Sequence, residues 1–212
     1  MLTTLIFDLD LTLLDSLQPC LRGVNKLARH FGLPETNEET VLKNIALTTE
    51  EFWKAIFGHL DPQWYPYFLK NVQPEVNAET KCFPDALELL KYAKSRQYLM
   101  AVATNRENPW LDIASFGIGC YFDTVVGACG DIRPKPEPDI IQEVLKHLNT
   151  SPASAIFLGD SRSDMQSSKA AGVRAIGMTQ GGVPEDELFQ AGATWVMENM
   201  TQVKQFLEKD LV

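Results

Sequence analysis

The sequence predicts an α/β fold: a parallel sheet covered on both faces by helices, with a separate helical segment inserted after the first strand. Two observations carry this reading. From Phe83 onward, short apolar runs alternate with stretches of helical period, a rhythm that implies right-handed crossovers and parallel strands. Residues 38–70 contain no convincing strand, and the whole stretch from about 15 to 80 reads as helical. The expected organisation is a core of residues 1–14 and 81–212 with a helical insert over 15–80.

Residues 2–7 read as a buried strand. At Ser16 the period changes: Leu17, Leu21, Val24, Leu27, Ala28 and Phe31 share one helical face, and Gly32 with Pro34 ends the helix. Further helices are expected near 38–46, 49–58 and 62–71, carrying Trp53, Phe57, Trp64, Tyr65, Tyr67 and Phe68. Asn71 to Glu79 is polar, contains Pro74, and reads as a connector. Pro84 opens a helix in its first turn. A strand Tyr98–Ala103 ends at Thr104-Asn105, followed by a helix near 109–115 and a strand Thr124–Val126. The proline-rich loop 133–138 leads into a helix 139–148. A strand Ala155–Leu158 ends at Gly159-Asp160, and helix 161–171 stops at Gly172. Strand 173–176, helix 184–190, strand 194–196 and helix 200–209 complete the chain.

The 212 residues suffice for one large domain or a core plus an insert. With 45% apolar and 22% charged residues, the composition is that of an ordinary globular protein. A net charge of −9 argues against general affinity for nucleic acid or an anionic membrane. A small anionic substrate remains compatible, because one cation and one Lys in a cleft override the global field locally. No leader sequence or membrane-spanning run is read, so the expected compartment is the cytoplasm and no membrane partner is expected. Asn199-Met200-Thr201 fits a glycosylation sequon but is read as accidental without a secretion signal. The four cysteines show no C-x-x-C spacing and no zinc pattern; they read as reduced, mostly buried thiols.

The chemistry-bearing residues follow strands. Asp8 and Asp10 stand two apart where the first strand stops, on one face of an extended segment. Two such carboxylates repel unless one is protonated or a cation lies between them, which marks a metal or acid–base site against the alternative of an acidic loop. Thr104 with Asn105 and then Asp160 also follow strands. In an open α/β sheet, ligands bind beyond the carboxyl ends of the strands, so these residues converge on one crevice. Lys135, in a loop between a strand and a helix, can join them. Asp160 and Asp164 are spaced to face the same way on a first helical turn, where a carboxylate also suits the helix dipole.

With these residues in place, the chain resembles the haloacid dehalogenase superfamily, in its phosphoglycolate-phosphatase-like branch. The resemblance rests on Asp8-Leu9-Asp10-Leu11-Thr12, on Thr104, on Lys135 within Arg-Pro-Lys-Pro-Glu-Pro-Asp, and on Gly159-Asp160-Ser161-Arg162-Ser163-Asp164, in the family's order and spacing. It covers essentially the whole chain and implies a Rossmann-like core whose helical insert is the family's cap. One departure is Leu11, where such proteins often have Gly or Asn; another is Phe83-Pro84-Asp85 in place of Phe-Pro-Gly.

The resemblance implies that Asp8 attacks phosphorus to form an aspartyl phosphate, while Asp10 protonates the leaving oxygen and then deprotonates the attacking water. It implies Mg²⁺ held by the Asp8 carboxylate, the Asp10 main-chain carbonyl and Asp160, with Asp164 a further ligand or an outer partner. Thr104, Asn105 and Lys135 would bind the phosphoryl oxygens. Thr12 and Ser161 read as structural hydroxyls that cap turns and helices. Weaker candidates for substrate contact are Arg22, Arg106, Arg162 and the Trp64–Phe68 cluster, whose plainer reading is the cap's own core. His30, His59 and His147 carry no assignment. The resemblance also implies that an acid at position 10 goes with phosphate esters rather than haloacids or phosphonates. The expected activity is a Mg²⁺-dependent phosphatase on a small phosphorylated metabolite, such as phosphoglycolate, a sugar phosphate or a nucleotide monophosphate, working as a monomer or homodimer. Two rivals stay open: a phosphomutase of the β-phosphoglucomutase type, and a binding or regulatory protein that keeps the fold without the chemistry.

Overall fold

The computed structural model describes residues 2–209. The chain begins with β1 (Thr4–Phe7) and the two-residue strand β2 (Leu14–Asp15), then passes through α1 (Leu17–Phe31), α2 (Glu38–Asn44), α3 (Thr49–Phe57), α4 (Trp64–Asn71) and α5 (Gln73–Glu79). It returns through β3 (Lys81–Cys82) to α6 (Pro84–Ser95), β4 (Leu99–Thr104), α7 (Pro109–Ser115), β5 (Thr124–Gly127) and α8 (Asp139–His147). The last part is β6 (Ala155–Gly159), α9 (Arg162–Ala170), β7 (Arg174–Met178), α10 (Glu185–Ala191), β8 (Trp195–Met197) and α11 (Met200–Lys209).

Six strands form one parallel sheet in the order β5-β4-β1-β6-β7-β8. β1 lies between β4 and β6, which puts its carboxyl end beside theirs. Alternation along β1 divides the core: Leu5 and Phe7 pack with α6 and α11, while Ile6 packs with α8 on the opposite face. The sheet is thus buried on both sides, as parallel sheets are.

α1 to α5 build a core of their own from Val24, Leu27, Val41, Phe52, Trp53 and Trp64. The chain leaves for this insert through β2 and returns through β3, and the two pair antiparallel, Leu14 opposite Cys82 and Asp15 opposite Lys81. Strands this short leave no readable period, so the sequence did not announce them.

Two expectations are corrected. The segment read as a connector, Asn71 to Glu79, is mostly the helix α5. Pro74 sits in its first turn, where a missing N–H removes no intrahelical bond. Its Val76 lies so close to α1 that a Cβ on Gly23 would come within 2.5 Å of it, so tertiary packing stabilises a helix its polar composition does not advertise. The thiols, expected to be mostly buried, are not: Cys120 and Cys129 are exposed, on a short turn and a loop, and Cys20 and Cys82 are half-buried, all four free. Among the described residues no helix is long and apolar enough to cross a membrane.

Candidate active site

β1 is buried at every residue and delivers Asp8 to the sheet edge, where the Asp8 N–H still donates to Leu158 O of β6 at 2.8 Å. The chain then folds back sharply, with the Leu13 and Leu14 amides both donating to Leu9 O at 3.0 Å. Leu11 takes φ +56° in this turn. That left-handed conformation costs an L-residue about 1–2 kcal/mol and explains the fit of Gly or Asn there; burial of the Leu11 side chain offsets the cost here. Gln180 Nε2 braces the turn by donating to Leu11 O at 3.0 Å and Thr12 O at 2.8 Å.

Asp8 stands in a buried cluster with Lys135, Asp160 and Asp164. Lys135 Nζ donates to Asp8 Oδ1 and Asp164 Oδ1, each at 2.6 Å, and to Ala103 O at 3.0 Å. Asp164 Oδ2 accepts from the Ser161 amide at 3.0 Å and its hydroxyl at 2.6 Å, and the Ser161 hydroxyl accepts from the Asp164 amide, a capping box that starts α9. Thr12 Oγ1 donates to Asp160 Oδ1 at 2.7 Å, so Thr12 belongs to the cluster and not only to a turn. Gly181 lies flat against Asp160: a Cβ there would stand 2.0 Å from Asp160 Oδ2.

Three carboxylates thus face one ammonium out of water. Burial pushes the Asp8 carboxyl from 3.8 up to about 7, against the pull of Lys135 and with the help of Asp164. Burial likewise lifts Asp160 well above the usual carboxylate range, with Asp8 and Asp164 adding to it. Burial would lower Lys135, but Asp164 and Asp8 outweigh it and keep the amine charged. Asp8, Asp160 and Asp164 offer carboxylate oxygens within 4.8 Å of one another. Among the described residues no donor reaches Asp8 Oδ2 or Asp160 Oδ2, whereas both oxygens of Asp164 are engaged. Hard oxygen donors, excess negative charge and two uncommitted oxygens fit a hard divalent cation such as Mg²⁺.

Asp10 lies in a different environment. Arg106 Nε and Nη2 grip its two carboxylate oxygens at 2.8 and 2.7 Å, and Arg106 Nη1 reaches Asp112 Oδ2 at 2.8 Å. Burial would raise the Asp10 carboxyl, yet the Arg106 guanidinium overcomes it and holds Asp10 below its usual range. Asp112 Oδ1 in turn accepts from Gln73 Nε2 and Asn77 Nδ2 of α5, each at 3.0 Å. Tyr65 of α4 donates to Glu107 at 2.9 Å. The insert is therefore tied to the stretch that follows β4, through residues 105–112.

The residues marked in the sequence come together. Thr104 is buried at the end of β4, its hydroxyl accepting from the Arg106 amide at 3.3 Å. The Asn105 side chain is committed to backbone, donating to Ala46 O at 2.9 Å and Lys135 O at 3.2 Å and accepting from the Lys135 amide at 2.8 Å. Of the weaker candidates, the exposed Arg22 pairs with Glu79 and the exposed Arg162 with Glu187, and neither guanidinium bonds to the cluster carboxylates. Trp64 is buried in the insert's core, while Tyr65 and Phe68 line a cavity. His30 stacks on Tyr67, His59 meets Trp64, and His147 contacts Thr124. Sequence reading missed Arg106 as the partner of Asp10, Asp112, Gly181 and the link from Thr12 to Asp160. The only available signal was Arg106 itself, directly after Thr104-Asn105.

Two spaces meet at Asp10. A gap of about 20 Å³ lies over Asp8, walled by Thr104, Lys135 and the insert's Ile45, Ala46 and Leu47. Beyond Asp10, Asn105 and Arg106, which line both, a cavity of about 690 Å³ opens between the insert and the core.

The sequence pattern of a family described as haloacid dehalogenase-like hydrolase matches residues 5–178. The chain is 30% identical over 210 residues to phosphoglycolate phosphatase 1 of Pseudomonas aeruginosa, covering 92% of this chain and 76% of the relative. The fold is similar to that of a predicted phosphoglycolate phosphatase from Haemophilus somnus, with a TM-score of 0.85 at 21% identity, covering 97% of this chain and 98% of the other. A Thermotoga maritima protein proposed to be a beta-phosphoglucomutase matches with a TM-score of 0.79 at 21% identity, over 99% of this chain and 100% of the other.

Proposed function

We propose a mechanism for this chain from the premise that it belongs to the haloacid dehalogenase-like hydrolase family and is a phosphatase. It hydrolyses a phosphate monoester of a small metabolite through an aspartyl phosphate on Asp8. The observation that supports this best is the Lys135 ammonium joining Asp8 to Asp164 beside Asp160, at the carboxyl edge of β1, β4 and β6.

Phosphate monoesters resist hydrolysis strongly, and most of the catalytic task is positioning and charge neutralisation. An Asp8 carboxylate oxygen attacks phosphorus while the bond to the ester oxygen breaks. Asp10 gives its proton to the departing alcohol. Water then attacks the phosphorus of the aspartyl phosphate, Asp10 takes a proton from it, and inorganic phosphate leaves with Asp8 restored. Lys135 neutralises the phosphoryl oxygens, and the Thr104 hydroxyl donates to one of them. Asn105 acts by fixing the Lys135 backbone, since its amide is already committed. Mg²⁺ held by the Asp8 and Asp160 carboxylates and the Asp10 main-chain carbonyl, with Asp164 outside that shell, would withdraw charge from the phosphoryl group and keep Asp8 ionised.

Residues 15–80 serve as the cap. The gap over Asp8 has room for about one water and none for a phosphoryl group, so the 45–47 turn moves aside to admit substrate and closes to exclude water. Asp10 in its ion pair is a carboxylate, the form needed in the second step. Arg106 must let go of it for the first.

Phosphate release with Mg²⁺, combined with mass spectrometry of protein quenched during turnover, tests the reading. A phosphoryl group on the peptide holding Asp8 is expected. Sustained turnover by Asp8→Asn would overturn the mechanism.

A further inference from the structure

The large cavity carries an inference about the substrate, and it rests on the phosphatase reading above. The space lies on the far side of Asp10 from Asp8, where the departing alcohol must sit if Asp10 protonates it. Its volume of about 690 Å³ falls within the roughly 300–1,000 Å³ of pockets that enclose drug-sized ligands. The walls from the insert include Val24, Phe52, Trp53 and Phe68, and the exposed Leu111 lies on the core side. The half-buried Phe68 and Tyr65 present aromatic surface to the space, and the buried Trp53 supports Phe68 edge to face at 5.5 Å.

Its charge is as telling as its size. The charged residues of the lining are Asp10, Arg106, Glu107 and Asp112, three carboxylates against one guanidinium. That guanidinium is already shared between Asp10 and Asp112. Even when Arg106 releases Asp10 for the first step, it stays paired with Asp112, and Glu107 keeps the carboxylates of the lining in excess, so a carboxylate on the leaving group, as in phosphoglycolate, would add to that excess.

We propose that the preferred substrate is a phosphate monoester of a bulky, uncharged alcohol bearing an aromatic body, and that phosphoglycolate is a poor one. Hydrolysis breaks the same P–O bond, and the alcohol leaves with the proton from Asp10 while water supplies the phosphate's new oxygen.

Three alkyl esters separate the contributions with matched leaving-group chemistry: phosphoglycolate, ethyl phosphate and 2-(2-naphthyl)ethyl phosphate, with wild-type protein and Mg²⁺. The expected order of kcat/KM is naphthylethyl above ethyl above phosphoglycolate, with about tenfold or more between the extremes. Phosphoglycolate equal to or better than the naphthylethyl ester overturns the substrate inference and leaves the phosphatase reading standing. Hydrolysis of p-nitrophenyl phosphate with no preference among the three esters does the same. No phosphate from any of the four overturns the phosphatase reading, and the inference with it.

Discussion

Asp8 and Asp10 leave the same strand two residues apart, yet their surroundings are opposite. Around Asp8, three buried carboxylates share one ammonium, and burial lifts Asp8 to about 7. Around Asp10, one guanidinium lies between two carboxylates and holds Asp10 below its usual range despite burial. The first cluster is short of positive charge and calls for a cation from outside. The second is closed on itself and must be opened before Asp10 can carry a proton. Within one short turn, position alone does not assign a role; the partners brought by β4 and the loop 133–138 do.

The largest expected effect comes from Asp8, the proposed nucleophile. Asp8→Asn should lower turnover by about 10³-fold or more, measured as phosphate release. It should not lower the melting temperature of the metal-free protein, because it removes a carboxylate from a cluster that has too many. A loss of fold in that variant would break the contrast.

Lys135→Met is expected to act on both stability and activity. It strips the cluster of its one cation, and leaving buried carboxylates unpaired costs about 3–5 kcal/mol. Urea unfolding without metal measures this, and Mg²⁺ should recover part of the loss. A variant as stable as the parent would show that the carboxylates are not charged together.

Smaller changes follow from pH. Asp8 has a folded-state value of about 7 against an ordinary 3.8, so the folded protein holds its proton more tightly than the unfolded chain. Its contribution to stability is fully present below pH 3.8 and is lost as pH rises through 7. Mg²⁺ held by Asp8 would have to displace that proton, so on the proposed ligand set the Mg²⁺-induced rise in melting temperature should grow between pH 5 and 8 in a buffer series. Asp10, with a lowered value, contributes stability above 3.8 that is lost as pH falls through its folded value. Arg106→Gln releases it, and the basic limb of kcat/KM, where Asp10 loses the proton it gives to the leaving alcohol, should move to higher pH. An unmoved limb would mean that Arg106 already leaves Asp10 in the working enzyme.

The contrast also divides what was legible in the sequence. Asp8, Thr104 and Asp160 could be found because strand ends are readable from apolar runs, and a parallel sheet brings successive ends to one edge. Lys135 followed because its loop lies between strand and helix. The Arg106–Asp10–Asp112 group could not be read. It depends on the path of residues 105–112 and on contacts from α5, a helix hidden by polar residues and Pro74. Gly181 matters only because the turn after β7 lies against Asp160, a proximity that no local pattern encodes.

The central claim is that Asp8 and Asp160 meet the cation with side chains, whereas Asp10 does so with its main-chain carbonyl. Isothermal titration of Mg²⁺ into Asp160→Asn and Asp10→Asn, beside the parent protein, tests it most directly. Asp160→Asn should weaken binding by about tenfold or more, while Asp10→Asn, which keeps the carbonyl, should bind as the parent does. Binding lost in Asp10→Asn and retained in Asp160→Asn would contradict the account.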